Sequence, residues 1–443
     1  MSWRLEILFL ITTVANAQST GGALLGRISD PAKSPVAGAE ITVTQAETGA
    51  LRKTTTDNSG DFFFAELPIG HYELNATHPG FKRALRRGIE LHVSDRLTIN
   101  LTLSLGDVAQ EVTVEASSDQ VQVDSSEQST LISGDQVREL QLNGRSFMTL
   151  LELVPGVASN MSDRMDPNST PDVAINGARS SAGSFNIDGG SNSDIIVGSS
   201  SQNTFTSVDT IAEFTVLTST FAAEYGRGGF SQVNVVTRGG GKQYHGSAFY
   251  FLRNDALDAK DYLSHQTLPL RLNNFGYTFS GPIKQSKNAR TFFFFAQEFN
   301  RIFTRGEAVN TIVPTANMKA GNFLGVSAII DPADNNTPFP NARIPATRFD
   351  ANAVKLLNLF PAPNWQGPGG LNFTSAAGAR QNWREEMIRL DHNFANGARI
   401  YGRYTQDTAD VENPYGGSAV TSANMRFPGI GATQADRPGQ NAV

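Results

Sequence analysis

The side chains that most often carry out catalysis occur in this sequence, but not in a known catalytic spacing. The six histidines are scattered, and none belongs to the H-E-x-x-H pattern of a zinc hydrolase. The run Arg179 to Gly183 lacks the first glycine of the G-x-S-x-G turn that exposes a nucleophilic serine. Gly239-Gly240-Gly241-Lys242 is followed by Gln243 and not by Ser or Thr, so we interpret it as a linking loop and not as a phosphate-binding loop. We expect no catalysis and no cofactor; an enzyme is the alternative that a zinc or serine-nucleophile constellation would revive.

Oxygen-bearing side chains cluster at Asp57 to Asp61, D-N-S-G-D, in a spacing that could suggest a calcium site. The stretch lacks the longer ligand loop and the distal glutamate of such sites, so we interpret it as a turn. The chain has no cysteine, which excludes disulfides, thiolate metal sites and a lipid-modified cysteine at the mature N-terminus.

Residues 1–17 have the pattern of a secretory signal peptide. Trp3-Arg4 gives a short positive region, Ile7 to Val14 is apolar, and Ala15-Asn16-Ala17 is a cleavage site. The apolar run is far shorter than the ~20 residues of a spanning helix. We therefore expect export, with the mature chain beginning near Gln18; the alternative is a buried N-terminal helix.

The composition of the exported part favours a membrane β-barrel. The chain has 28 Phe and 41 Gly but only 36 Lys and Arg, and its formal net charge is −6. Such a charge gives no sign of nucleic-acid binding, and the length allows about two to four domains. No apolar run of spanning-helix length follows the signal peptide, whereas weakly alternating segments rich in Gly and aromatic residues are typical of outer-membrane strands.

Residues 20–105 contain many short alternating segments separated by Gly, Pro and Asn turns, which predicts a β-sandwich. The alternation is clear at Ile41 and Val43, and again from Leu97 to Leu103. Three pieces, GRISDPAKSPVAGAEITVT, TTDNSGDFFFAELPIGHYEL and HPGF, resemble the carboxypeptidase-regulatory-like domain, which is prealbumin-like. The resemblance covers nearly all of this segment and implies the same sandwich fold.

Six short pieces in series make residues 175–238 the most informative stretch of the sequence. They are Ile175 to Arg179, Ile187-Asp188-Gly189, Ile211 to Val216, Tyr225-Gly226, Gly228-Gly229 and Val233 to Arg238. In this order they resemble the plug domain of TonB-dependent outer-membrane receptors, and LNGRSF with LVPGV before them is similar to the Oar-like branch. Six ordered pieces are far more specific than one short motif. The resemblance implies a small α+β plug at residues 121–241 that blocks and gates a large barrel.

Charged residues beside the turns of the plug are candidates for contacts with the barrel wall. Ion pairs there would hold the plug in place, whereas the alternative for any one of these residues is a solvated turn charge. The candidates are Arg145, Arg179, Asp188, Glu213 and Arg227.

A linker at residues 106–120 joins the sandwich to the plug. Its segment E-V-T-V-E-A resembles the TonB box, which an energy-transducing TonB-type protein captures as an added strand, so the segment must be exposed and extended. The alternative is that Val112 and Val114 form the last strand of the sandwich, and one alternating pentapeptide does not separate the two interpretations. The candidate box is Glu111, Val112, Thr113, Val114, Glu115 and Ala116.

Long alternating segments at residues 242–443 predict the first strands of a transmembrane antiparallel barrel, and several of them are also similar to the Oar-like family. Short connections alternate with long ones, as expected if short turns face the periplasm and long loops face outside. Five or six strands cannot close, and plugged transporters use about 22. We therefore expect the N-terminal part of a longer protein or a truncated product. The predicted strands lie near 244–254, 272–281, 290–300, 384–394 and 398–407.

Asn396-Gly397 separates two of these segments, which predicts a tight hairpin. A three-residue loop, Ala395 to Gly397, pairs Phe394 with Ala398, which places apolar side chains toward lipid and arginines toward the lumen. A two-residue loop would turn arginines toward lipid, at about 2–4 kcal/mol each near the midplane. We therefore predict the three-residue loop, with its glycine in the left-handed conformation.

The predicted fold is mainly β: a sandwich, a small α+β plug and the strands of an incomplete barrel. The resemblance implies a TonB-dependent, Oar-like receptor in the outer membrane that binds an extracellular ligand and imports it, with the sandwich and the plug on the periplasmic side. The implied partners are a TonB-type protein, outer-membrane lipid and an unknown ligand. The alternative of another class is a surface or adhesion protein without energised transport. An accessible box favours transport, whereas a box buried in the sandwich removes support from it.

Overall fold

The structure is a computed structural model that is mainly β and is organised as three successive units. The first is a sandwich, the second is a smaller sheet with short helices, and the third is a sheet of long antiparallel strands. The structure describes residues 20–106, 111–115, 127–159, 173–179, 182–194, 198–202, 206–221, 225, 229–260, 262, 265, 267, 269–286, 288–305, 308–326, 328–413 and 433–443.

The sandwich consists of two sheets. One has the order β4-β1-β7, with β8 also paired to β1, and the other has the order β3-β2-β5-β6-β9. Alternate residues of several strands face the space between the sheets, where Leu24, Ile41 and Leu74 are fully buried, so the predicted β-sandwich is confirmed. The strands are β1 (Gly22–Ser29), β2 (Glu40–Gln45), β3 (Leu51–Thr55), β4 (Asp61–Leu67), β5 (Gly70–Thr77), β6 (Arg83–Leu91), β7 (Arg96–Thr98), β8 (Leu101–Thr102) and β9 (Glu111–Glu115).

Asp57 organises the turn between β3 and β4. Its carboxylate Oδ1 accepts hydrogen bonds from the backbone N–H of Ser59 at 2.8 Å and from that of Asp61 at 2.9 Å. An aspartate that binds the backbone two residues on is the device of an Asx turn. The prediction of a turn at this stretch is confirmed.

The second unit, at the position predicted for the plug, has a sheet of order β10-β17-β18-β13-β14 in which β13 runs parallel to β18. Ser133 starts α1 with a capping box, because its hydroxyl and the side chain of Gln136 each accept from the other's backbone N–H. Phe147 and Phe214 belong to a core that is separate from that of the sandwich. The strands are β10 (Gln128–Ile132), β11 (Val157–Ser159), β12 (Val173–Ile175), β13 (Ser184–Ile187), β14 (Gly190–Ser191), β15 (Ser193–Asp194), β16 (Gly198–Gln202), β17 (Ile211–Ser219) and β18 (Gln232–Thr237). The helices are α1 (Gly134–Glu139) and the 3-10 helices Asn143–Arg145, Phe147–Leu153 and Val208–Thr210.

The third unit is an antiparallel sheet of order β19-β20-β21-β26-β27-β28, which we call the long-stranded sheet. Its first five strands match the predicted ones, and β28 is an additional edge strand that the sequence did not indicate. Its strands are β19 (His245–Asn254), β20 (Leu270–Pro282), β21 (Thr291–Arg305), β26 (Gly378–Asn393), β27 (Arg399–Asn413) and β28 (Thr433–Ala442). The connections contain β22 (Val309–Thr311), β23 (Ile330–Asp331), β24 (Thr337–Pro338), β25 (Phe373–Ser375), α2 (Ala316–Lys319), α3 (Ala351–Leu359) and the 3-10 helices Asp255–Leu257, Pro340–Ala342, Ala346–Arg348 and Pro368–Gly370.

The two faces of the long-stranded sheet differ in polarity. On β20, Tyr277 and Phe279 are 43% and 47% exposed on the outer face, whereas Thr278 and Ser280 are buried on the inner face. This is the alternation of an outer-membrane strand, apolar outside and polar inside. Within the described residues, no helix has the length and apolar character needed to cross a membrane.

The β26–β27 hairpin has the predicted register. Phe394 donates its N–H to the carbonyl of Ala398 at 2.8 Å, and His392 lies opposite Ile400. Gly397 has a φ of +84°, so the glycine of the three-residue loop is left-handed as expected. The predicted division of this hairpin into two faces is confirmed, because Ile388, Leu390 and Ile400 are exposed on one face while Arg389 and Arg403 are buried on the other.

Candidate functional site: the contacts of the plug

Asp188 is placed by the turn that ends β13. Ile187 lies beside Val235 of the parallel neighbour β18, and Asp188 itself has a left-handed φ of 48°. Its carboxylate turns back onto Thr237, whose backbone N–H and hydroxyl donate to it at 2.9 and 2.6 Å. The residue is only 1% exposed. An ionised carboxylate buried this deeply requires charged partners.

The charged partners come from the long-stranded sheet. Arg389 Nη1 donates to Asp188 at 3.1 Å, and Arg403 Nε lies 2.7 Å from the same carboxylate in an ion pair. Arg389 Nε also donates to Asp391 at 3.0 Å, and Arg399 Nη2 donates to Asp391 at 2.6 Å. Arg389 lies directly opposite Arg403, and like charges in that position repel unless carboxylates lie between them. We call these five residues the Asp188 cluster.

Backbone groups of the plug complete the contact. Tyr401 donates its hydroxyl to the carbonyl of Asp188 at 2.8 Å, and Arg389 donates to the carbonyl of Thr237 at 3.0 Å. Arg403 donates to the carbonyl of Ile187 at 3.3 Å. Breaking a buried ion pair by removing one partner costs about 3–5 kcal/mol, because the other charge stays buried without compensation. The Asp188 cluster therefore fixes the plug against β26 and β27.

Arg145 provides a second contact between the plug and the long-stranded sheet. It follows Gly144 in a left-handed turn, and its guanidinium is paired with Asp209 of the plug. The guanidinium carbon lies 4.5 Å from the ring centre of Phe249 and 4.2 Å from that of Phe251, both on β19. A cation over two aromatic rings is attracted by their π faces. This contact joins the plug to the edge of the sheet opposite β28.

Ser207 makes a third contact, which the sequence did not reveal. Its backbone N–H donates to Glu385 at 3.1 Å, and its hydroxyl donates to Glu298 through a short hydrogen bond. The two glutamates lie directly opposite each other on β21 and β26 and are buried on the inner face. The signal was available in principle, because both are acidic residues at inward positions of an alternating strand.

The connection from the plug to β19 explains the glycine run. A Cβ added at Gly240 would lie 2.4 Å from the carbonyl oxygen of Phe293 and 2.8 Å from that of Gly281. The backbone therefore passes so close to β20 and β21 that only glycine fits. Residues 239–241 serve as a tight passage between two units.

The remaining charged candidates lie elsewhere. Glu213 was expected at the barrel wall, but its carboxylate accepts hydrogen bonds from His92 and Val93 of the sandwich, because its side chain leaves β17 on the face that the sandwich covers. Arg179 is exposed. Arg227 lies outside the described residues.

Residues Glu111 to Glu115 of the candidate TonB box form strand β9. Glu111 to Glu115 pair in parallel with Arg83 to Arg87 of β6, and in the described part of the chain β9 is the last strand of its sheet. Ala116 lies outside the described residues. The segment is therefore extended, as the box requires, and it is also a strand of the sandwich, as the alternative requires. An edge strand can add a further strand, so the box stays a prediction.

The arrangement is suited to holding one folded unit against another. Within the described residues, no three or more His, Cys, Asp or Glu side chains are grouped so that they could bind a metal ion. The charged residues that are brought together are bound to one another across the boundary between the plug and the long-stranded sheet.

Comparison with known proteins agrees with this organisation. Three family models match in series: a carboxypeptidase regulatory-like domain at residues 23–104, a TonB-dependent receptor plug domain at residues 121–233 and an outer membrane beta barrel domain at residues 236–443. The plug and barrel matches indicate an outer-membrane protein that is similar to the TonB-dependent class of receptors.

Within that class the chain is similar to the TonB-dependent transporter Oar of Myxococcus xanthus. The two are 25% identical over 320 residues, which is 68% of this chain and 28% of the relative, so the chain spans little more than a quarter of that protein's length. The outer membrane transporter YddB of Escherichia coli matches with a TM-score of 0.40 and 10% identity, over 64% of this chain and 33% of that chain. A hydroxyquinol 1,2-dioxygenase of Pseudomonas putida matches 20% of this chain and 57% of its own, with 11% identity and a TM-score of only 0.16. Structural likenesses this weak carry no argument.

Proposed function

We propose that this chain carries the gate of an energised importer, in which a ligand bound outside enters once a TonB-type partner displaces the plug. The observation that carries the proposal is the polar nature of the plug's contact with the barrel strands. The plug has its own apolar core, while the Asp188 cluster and Ser207 hold it by ion pairs and hydrogen bonds, and Arg145 holds it by a cation–π contact. A domain held in this way can move without exposing an apolar core.

The orientation follows from the connections. A short turn joins β26 to β27, whereas the β21–β26 connection of residues 306–377 contains α2, α3 and four short strands. In bacterial barrels the short turns face the periplasm and the long loops face outside. A Cβ added at Gly397, in the short turn, would lie 3.4 Å from the carbonyl oxygen of Leu51 in the sandwich. The sandwich is thus assigned to the periplasmic side, where a TonB-type partner reaches.

An adhesion protein is the second candidate, and one observation is compatible with it. The β21–β26 connection exposes large apolar side chains, among them Leu324 at 72%, Leu356 at 57% and Leu359 at 62%. Apolar groups on an outer loop can contact a ligand to be imported or a surface to be bound. Energised transport needs the TonB box, whereas adhesion does not.

The test is capture of the full chain, in outer-membrane extracts, by the C-terminal domain of a TonB-type protein. We expect the wild-type chain to bind and Val112→Pro to fail, because proline removes a backbone donor that an added strand uses. Val112→Thr is the matched control: it keeps the N–H and the β-branched shape, and should bind like the wild type. Equal capture of the wild type and Val112→Pro would reject the box and favour the adhesion protein.

A further inference from the structure

The linker is one connection between the sandwich and the plug. A loop of the sandwich forms a second one, because it packs against the plug sheet. The loop is His92–Asp95, between β6 and β7, and we call it the docking loop. Val93 donates its N–H to Glu213 Oε1 at 2.6 Å, and His92 Nδ1 lies 2.8 Å from Glu213 Oε2. Thr215, two residues further along β17, donates its hydroxyl to the carbonyl of Val93 at 3.4 Å. One plug carboxylate therefore binds both a backbone and a side-chain group of the sandwich.

The rest of the docking loop fits the same surface. Ser94, with a left-handed φ of 65°, places its hydroxyl 2.9 Å from that of Tyr225 in the plug. Val93 and Tyr225 are almost fully buried by this contact. A strained backbone at a buried contact persists only where its surroundings require it, which indicates a fitted interface and not a chance approach.

The sandwich also reaches the base of the barrel strands. The carbonyl of Glu47 accepts the N–H of Lys242 at 3.0 Å, just after the tight glycine passage. Leu51 contacts the turn at Gly397, as described above. A cavity of about 240 Å³ lies where the three units meet, lined by charged residues such as Glu47, Arg238 and Arg399 and by apolar ones such as Ile69. The junction is therefore incompletely filled, unlike the close-packed core within a single domain.

We propose that the sandwich is a releasable lid over the periplasmic face of the plug, held in its docked position by the hydrogen bonds between Glu213 and the docking loop. β6 leads directly into this loop and is also the strand to which β9 is paired. Tension on the candidate box would thus reach Glu213 through a single intervening strand. The consequence for gating depends on the proposed function, whereas the docking itself does not.

The strength of the contact between Glu213 and the docking loop depends on pH because His92 can gain or lose a proton. The hydrogen bond to Glu213 raises the pKa of His92, partial burial opposes this, and the nearby Asp95 and Glu90 add to the increase. Because protonated His92 prefers the docked state, its contribution is complete below the ordinary histidine pKa of about 6.5. That contribution is lost as the pH increases through the raised pKa. The lid should open more readily in mildly alkaline solution.

Paired spin labels on the full chain test the lid, and the absence of native cysteine makes the labelling specific. One label is attached at Asn58→Cys on the sandwich and the other at Glu139→Cys on the plug, both at exposed sites. We call the doubly labelled chain without further substitution the parent chain. Double electron–electron resonance should give one narrow distance distribution for the parent chain at pH 6. Glu213→Gln should lower the ratio of docked to released protein by about tenfold, the effect of losing a charged hydrogen-bond acceptor. Glu152→Gln, at an exposed plug carboxylate, should leave the distribution unchanged.

A second label pair within the plug, at Glu139 and Leu153, shows whether the plug of each variant is still folded. The released population should increase between pH 6 and pH 8.5 in the parent chain, and this increase should be absent in His92→Gln. At pH 6, a broad distribution in the parent chain, or an identical narrow one in the parent chain and Glu213→Gln, would overturn the lid. Neither result depends on a TonB-type protein or a ligand, so failure here leaves the proposed transport standing, and failure of the capture experiment leaves the lid standing.

Discussion

The plug meets its two neighbours in two different ways. Toward the barrel strands, the side chains of Asp188 and Arg403 are each 1% exposed and belong to a five-residue charged cluster. Toward the sandwich, one carboxylate carries most of the bonds, and the side chain of His92 is 25% exposed. A buried network loses several bonds when one member is removed, whereas a single pair near water is replaced by solvent at little cost. The comparison teaches that the contact with the barrel strands should cost more free energy to break than the contact with the sandwich.

The largest effect should come from Asp188→Asn, which keeps the shape of the side chain but removes its charge. Arg389 and Arg403 would then face each other with only Asp391 nearby, and we expect a loss of about 3–5 kcal/mol in the stability of the plug contact. Thermal unfolding of the purified full chain measures the loss.

Asp135→Asn is the matched control, because the Asp135 side chain is 80% exposed and should contribute about 0.5 kcal/mol or less. A double variant, Asp188→Asn with Arg403→Gln, should recover part of the loss by removing the uncompensated charge. Unfolding temperatures for Asp188→Asn and Asp135→Asn that agree would show that the cluster does not hold the plug.

A smaller effect is expected from Arg145→Lys. Lysine keeps a positive charge for Asp209 but lacks the planar group that lies over Phe249 and Phe251, so the loss should be about 1 kcal/mol. Arg138→Lys, on the exposed surface of α1, is the control. If both substitutions shift the unfolding temperature equally, the aromatic contact of Arg145 contributes nothing.

The smallest change in stability is expected from Glu385→Gln, and this substitution should stabilise the protein where the others destabilise it. Glu385 lies directly opposite Glu298, and replacing one of two facing carboxylates should stabilise the sheet by about 0.5 kcal/mol. The amide oxygen of glutamine can still accept from Ser207. Glu386→Gln, on the other face of β26, loses its pair with Arg384 and should not stabilise. Destabilisation by Glu385→Gln would mean that this carboxylate holds the plug as Asp188 does.

The sequence could predict the features that depend on neighbouring residues alone, and it could not predict those that depend on how distant units pack. The register of the β26–β27 hairpin follows from two-residue periodicity, since a shift by one position would expose Arg389 and Arg403 to lipid. The partner of Glu213 does not follow from any local rule, because it depends on how three folded units dock. An acidic side chain on a strand pairs with whichever domain covers its face.

Two other differences have physical reasons. β28 escaped prediction because it contains Pro438 and Gly439 and lacks aromatic alternation, yet proline is tolerated on an edge strand. The segment Glu111 to Glu115 has the same alternation whether it is a captured box or the last strand of a sandwich. Its sequence could not separate these interpretations, and its place beside β6 shows why both were reasonable.

The facing pair Arg389 and Arg403 also makes the barrel strands depend on the plug. A wall formed by β26 and β27 alone would present two guanidinium groups at the same level of the sheet, and much of the neutralising charge comes from Asp188 in an earlier part of the chain. The hairpin therefore reaches its full stability only with the plug in place. The plug thus supplies the counter-charge of the wall that holds it.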